Sequence, residues 1–151
     1  MHYYKVVKKN LCSIWTSDFD TLISSERTEA EDTFRVQYKE NEWVFPNLEG
    51  SKLFVFCDKK LAIKFTDNML GMLYICQVQN PIKKAPFVPE IKIEPMRTFN
   101  IWKNYKNKKG YKKLIYDLTA KPPEGTIWCD AVKLENLIYR SSSAFHMSLL
   151  W

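Results

Sequence analysis

Leu53-Phe54-Val55-Phe56-Cys57 is a run of five apolar residues without a polar break. A strand with one face in water alternates apolar and polar residues, whereas a strand covered on both faces does not. The run therefore predicts an interior strand. Leu73 to Val78 and Ile127 to Val132 share its character and are expected beside it, with Phe54, Phe56, Tyr74, Cys76, Trp128 and Val132 contributing to one core.

The rest of the chain arranges itself around these runs. His2 to Lys8 is rich in β-branched and aromatic residues and reads as a first strand, turning at Asn10 into Leu11 to Trp15. Phe34 to Tyr38 alternates, and Glu40-Asn41-Glu42 turns it into Trp43-Val44-Phe45. Lys59 to Asn68 places Leu61, Ala62 and Phe65 at helical spacing, with Asp58 as N-cap and Gly71 just past the end. That helix is expected to cover one face of the sheet. Prolines bracket Glu90 to Glu94, an edge strand by that criterion. Arg97 to Lys109 reads as a basic helix stopped by Gly110, and Lys133 to Tyr139 either prolongs the last strand or curls into a helix.

Strands and helices in this order do not alternate regularly. The expectation is an α+β fold, an antiparallel or mixed β-sheet with two or three short helices. Residues 1–140 are expected to form a single domain, with a tail, 141–151, docked on it through Leu149, Leu150 and Trp151.

Composition narrows the class. The 151 residues are 46% hydrophobic and 15% aromatic, which excludes an intrinsically disordered chain. No apolar run approaches the twenty or so residues of a membrane helix, and residues 1–30 lack the order of a signal peptide. A soluble, cytoplasmic protein with no membrane partner is expected. Cys12, Cys57, Cys76 and Cys129 each lie in an apolar stretch and form no Cys-x-x-Cys pair, so they read as reduced, buried small hydrophobes and no metal site is expected.

Charge is unevenly distributed. The chain carries 23 Lys+Arg against 17 Asp+Glu, a net of +6. Residues 18–32 hold Asp18, Asp20, Glu26, Glu29, Glu31 and Asp32 against Arg27 alone. Residues 97–113 interleave Arg97, Lys103, Lys106, Lys108, Lys109, Lys112 and Lys113 with Phe99, Trp102, Tyr105 and Tyr111. Lysines that neutralise phosphates and aromatics that stack bases are what a nucleic-acid or nucleotide binder needs, and Arg97, Trp102, Lys103, Lys106, Lys109 and Lys113 are its candidate residues. The competing account is a helix whose aromatic face packs on the sheet while its lysines meet water. Asp18, Asp20, Glu29, Glu31 and Asp32 are the candidate contacts for a basic protein partner, against the simpler role of a solvated acidic surface.

Catalytic patterns are sparse. Gly50, Gly71, Gly110 and Gly125 are isolated, so no phosphate-cradling loop can be written. His2 and His146 have no sequence support as partners of a nucleophile. Acid-x-Lys, a fragment of metal-dependent nuclease sites, occurs at Asp58-Lys59-Lys60 and Glu90-Ile91-Lys92, but chance supplies about two such triplets in a chain of this composition. Neither a catalytic residue nor a cofactor is assigned.

One resemblance accompanies this reading. Tyr4 to Val7, Val36 to Lys39, Glu42 to Val44, Leu53 to Phe56, the helix with Ala62 and Phe65, Cys76 to Pro81, Pro122 to Thr126 and Asp130 to Leu134 follow an order that resembles small uncharacterised proteins of bacteriophages and prophages. The resemblance implies a non-enzymatic accessory protein that binds and inhibits a host defence protein or nucleoprotein through charged surfaces. The alternatives are nucleic-acid or nucleotide binding through 97–113 and, more remotely, a metal-dependent nuclease using Glu90 and Lys92. The acidic segment 18–32 and the tail after Arg140 depart from that pattern.

Overall fold

A computed structural model describes residues 1–13, 36–47, 51–83, 88–89, 119–120 and 123–142. Its strands are β1 (Tyr3–Val7), β2 (Trp43–Val44), β3 (Leu53–Phe56), β4 (Met72–Gln79), β5 (Val88–Pro89), β6 (Thr119–Ala120), β7 (Thr126–Cys129) and β8 (Ala131–Arg140), with one helix, α1 (Lys59–Met69). Six strands form one sheet in the order β2-β8-β4-β1-β3-β7, with every strand pair antiparallel, while β5 and β6 pair separately. The fold is α+β on an antiparallel sheet. One helix lies among the described residues rather than two or three, and the expected basic helix falls outside them.

The linear order conceals a circuit. Only Asp130 separates β7, paired with β3, from β8, paired with β4, while β1 pairs with both β3 and β4. The sheet therefore curls into a half-barrel around which one bent strand, residues 126–140, passes from one side to the other. This corrects the expectation of a single central strand over Ile127 to Val132. Asp130 makes the corner: its N–H donates to Gln79 O at 2.9 Å, and its carboxylate accepts from Lys52 Nζ and, at 2.9 Å, from Asn80 Nδ2. Two register shifts follow in β8, at Glu135 and Ile138, each adding a residue opposite β4 and increasing the local bend.

Alternation then sorts side chains onto two faces. Val7, Leu53, Val55, Met72, Tyr74, Cys76, Ile127, Cys129, Val132 and Leu134 fill the concave interior together with Val36 and Tyr38. Val6, Phe56 and Leu73 point outward, where Ala62 and the half-buried Leu61, Phe65 and Met69 of α1 cover them, the Phe56 and Phe65 rings lying 5.2 Å apart. Phe54 and Trp128 are register partners on that same outer face and meet edge to face at 6.3 Å. The six residues expected in one core thus divide between two. A strand apolar on both faces serves two cores, and the sequence run does not say which side chain goes to which.

α1 starts where expected, the Asp58 carboxylate accepting from Leu61 N–H at 3.0 Å. It ends at Met69, two residues before Gly71, with Leu70 left-handed at φ 54° as the C-cap and Gly71 N–H donating to Thr66 O at 3.0 Å. Gly125, at φ +83°, has a structural reason to be glycine: a Cβ there would stand 2.9 Å from Leu61 Cδ1.

Candidate functional site

The strand Tyr3–Val7 carries an ionisable residue into the interior. Tyr3 and Val7 share the concave parity with Lys5, while Tyr4 and Val6 face the helix side. Lys5 is only 6% exposed. Its Nζ donates to Phe54 O at 2.6 Å and stands 5.3 Å from the centre of the Tyr38 ring, within cation–π range. Cys76 and Cys129 are close enough to act on its charge. Burial lowers the Lys5 ammonium from 10.5 to about 8, the thiols acting weakly against that.

The groups around it share the same dry surroundings. Burial pushes the Cys76 and Cys129 thiols up to about 12, with the Lys5 charge pulling the other way, and raises the Tyr38 hydroxyl well above its usual 10.0. Tyr38 is fully buried, and its hydroxyl has no hydrogen-bond partner among the described residues. Tyr74, directly opposite Lys5 in the β1–β4 register, donates its O–H to Glu40 Oε1 at 2.7 Å; burial first, then that bond, pushes it up to about 12. These raised thiols are protonated and unreactive at neutral pH, so the cluster is a buried polar site rather than a thiol nucleophile.

The sequence candidates lie elsewhere. Asp18, Asp20, Glu29, Glu31 and Asp32 fall outside the described residues, as do Arg97, Trp102, Lys103, Lys106, Lys109, Lys113, Glu90 and Lys92. Their points of attachment are described. Ser13 N–H donates to Val36 O at 3.0 Å, so residues 14–35, with six acids and two arginines, depart from and return to directly bonded positions. β5 and β6 pair in the same way at the ends of residues 90–118, which hold eight basic residues against three acids. The acid-x-Lys triplet at Asp58 has a structural explanation, since Asp58 caps α1. Cys12, Cys76 and Cys129 are buried and free as expected; Cys57 is free but exposed, because β3 ends at Phe56 and the chain bends there.

Among the described residues no group of three His, Cys, Asp or Glu side chains could hold a metal ion, and no helix is long and apolar enough to cross a membrane. Neither a protein-family model nor a curated protein nor a solved structure matches the chain. Sequence reading passed over Lys5. The signal was available: a lysine between Tyr4 and Val6, with Tyr3 and Val7 two positions away, has apolar neighbours on both faces.

Proposed function

We propose that this chain is a non-enzymatic binding protein that engages a host protein or nucleoprotein, in the host cytoplasm, through its charged segments, in the manner of a phage accessory protein that inhibits a host defence. One observation carries the reading. The acidic segment departs and returns beside the half-barrel at directly bonded positions, Ser13 with Val36, and the basic segment is held between the strands of the separate β5–β6 pair, Val88 with Ala120. Binding residues are commonly held this way, on chain excursions positioned by a rigid scaffold. The half-barrel and the β5–β6 pair supply fixed anchor points, and the two segments supply opposite charge. In this reading residues 97–109 form the second helix of the α+β fold and present Trp102, Lys103, Lys106 and Lys109.

The test is affinity capture from host lysate, with and without nuclease, using wild type and two charge variants. Reversal of Glu29, Glu31 and Asp32 is expected to abolish capture of a nuclease-resistant partner while leaving the melting temperature unchanged. Capture that vanishes with nuclease and falls steeply with salt would instead assign the basic segment to nucleic acid. Cleavage of labelled DNA or RNA in Mg²⁺, lost in Glu90→Gln, would overturn the non-enzymatic reading.

A further inference from the structure

Two polar side chains in the interior of the half-barrel, Lys5 and Tyr38, are short of hydrogen-bond acceptors among the described residues. The Lys5 ammonium has three N–H groups, and Phe54 O occupies one. No carboxylate among the described residues pairs with it; Glu40, beside the facing Tyr74, accepts from the Tyr74 hydroxyl instead. The Tyr38 hydroxyl, fully buried, is unpartnered among those residues. Lys5 Nζ stands 5.3 Å from the Tyr38 ring, and Cys76 and Cys129, whose thiols are also donors, lie in the same core cluster as Tyr38. A desolvated cation without a counter-charge is costly, and each unpaired buried donor adds to that cost.

We propose that Lys5 and Tyr38 form a buried binding site for a small monovalent anion, a halide or a one-carbon carboxylate. The size follows from closure: the core cluster that contains Tyr38 includes Val7, Val55, Val132 and Leu134, each at most 1% exposed, so only an ion small enough to be enclosed qualifies. The sign follows from the donors. An anion accepts from the free ammonium hydrogens and the phenol together and neutralises the lysine, which no described side chain does. The proposal does not depend on what the charged segments bind.

The experiment uses the full chain at pH 7 in sodium formate, sodium chloride or sodium gluconate at equal ionic strength, gluconate being too bulky for the interior. Formate or chloride is expected to raise the melting temperature of wild type by roughly 2–4 °C over gluconate. Lys5→Met removes that difference, and Tyr38→Phe, which deletes only an unpartnered hydroxyl, reduces it. A response to formate alone assigns a carboxylate, and to chloride alone a halide. A second readout does not depend on any variant folding: the Lys5 side-chain resonance titrates at higher pH in formate or chloride than in gluconate. Identical anion responses in wild type and Lys5→Met, or a Lys5 titration indifferent to the anion, would overturn the site.

Discussion

Replacing Lys5 with methionine changes how stability depends on pH, in a direction the structure fixes. The ammonium titrates near 8 in the folded chain and near 10.5 when exposed. Between those values the unfolded chain binds more protons than the folded one, so the Lys5 contribution to stability rises with pH across that window. Below pH 8 the whole penalty is present, about 3 kcal/mol at about 1.4 kcal/mol per pH unit. Roughly 1 kcal/mol of it is relieved between pH 7 and pH 9, and about 2 kcal/mol by pH 10. Methionine has a similar length, carries no charge and has no such slope. It leaves Phe54 O without its donor, a loss of about 1–3 kcal/mol, so Lys5→Met is expected to be between equal in stability to wild type and about 2 kcal/mol more stable at pH 7. Cys76, Cys129, Tyr38 and Tyr74 act with the opposite sign, because their raised folded values keep protons that the unfolded chain releases above about pH 9. They are common to both proteins and cancel in the difference. The assay is urea unfolding of wild type and Lys5→Met from pH 7 to 10 in a gluconate buffer. A difference that stays constant within about 0.5 kcal/mol over that range would refute the burial of a titrating lysine.

Other expectations rest on single contacts. Phe56→Ala removes a ring that packs on Phe65 beneath α1 and is expected to cost about 3–5 kcal/mol in thermal or urea unfolding. Gly125→Ala sets a methyl against Leu61 at a left-handed position and is expected to cost more than about 1 kcal/mol by the same measure. Leu70→Gly relieves a left-handed leucine that is 46% exposed, so a gain of up to about 1 kcal/mol is expected, visible as a higher melting temperature. Asp130→Asn weakens the corner by removing the negative charge that pairs with Lys52. The hydrogen bonds from Lys52 and Asn80 hold the Asp130 carboxyl below its ordinary 3.8, so its small, solvent-screened contribution is present at neutral pH and is lost as pH falls through the acidic range, where wild type and variant should converge.

The parts of this fold that could be read from the sequence are those that depend on local pattern. Leu53 to Phe56, Met72 to Gln79 and the Asp58-capped helix were legible because burial on two faces and helical spacing leave marks within a few residues. The corner at Asp130 was not. Ile127 to Val132 is uniformly apolar apart from that one residue, and a single aspartate in a strand does not announce that the strand changes partners there. It does so because Asn80 and Lys52 arrive from distant parts of the chain to hold its carboxylate. The charged segments were conspicuous as composition, but composition said nothing of where the chain anchors them, at Ser13 and Val36 for one and at the β5–β6 pair for the other.

Lys5 is the instructive case, because charge in a sequence is ordinarily read as surface. Its burial follows from closure. In a flat sheet a residue of its parity could face water, but once β7 and β8 join through Asp130 the face that carries Tyr3, Lys5 and Val7 becomes the inside of a half-barrel. The same closure brings Cys76 and Cys129, on strands that do not pair with each other, into one core cluster where both act on the charge of one amine. The corner and the buried lysine are therefore two consequences of one topological step. Weakening the corner should loosen the interior and let the Lys5 ammonium return toward its exposed value. Measured by side-chain NMR, an upward shift of the Lys5 titration in Asp130→Asn, with the α1 resonances unchanged, is the expected sign of that link. A Lys5 titration identical in both proteins would show that the interior is dry for reasons independent of the corner.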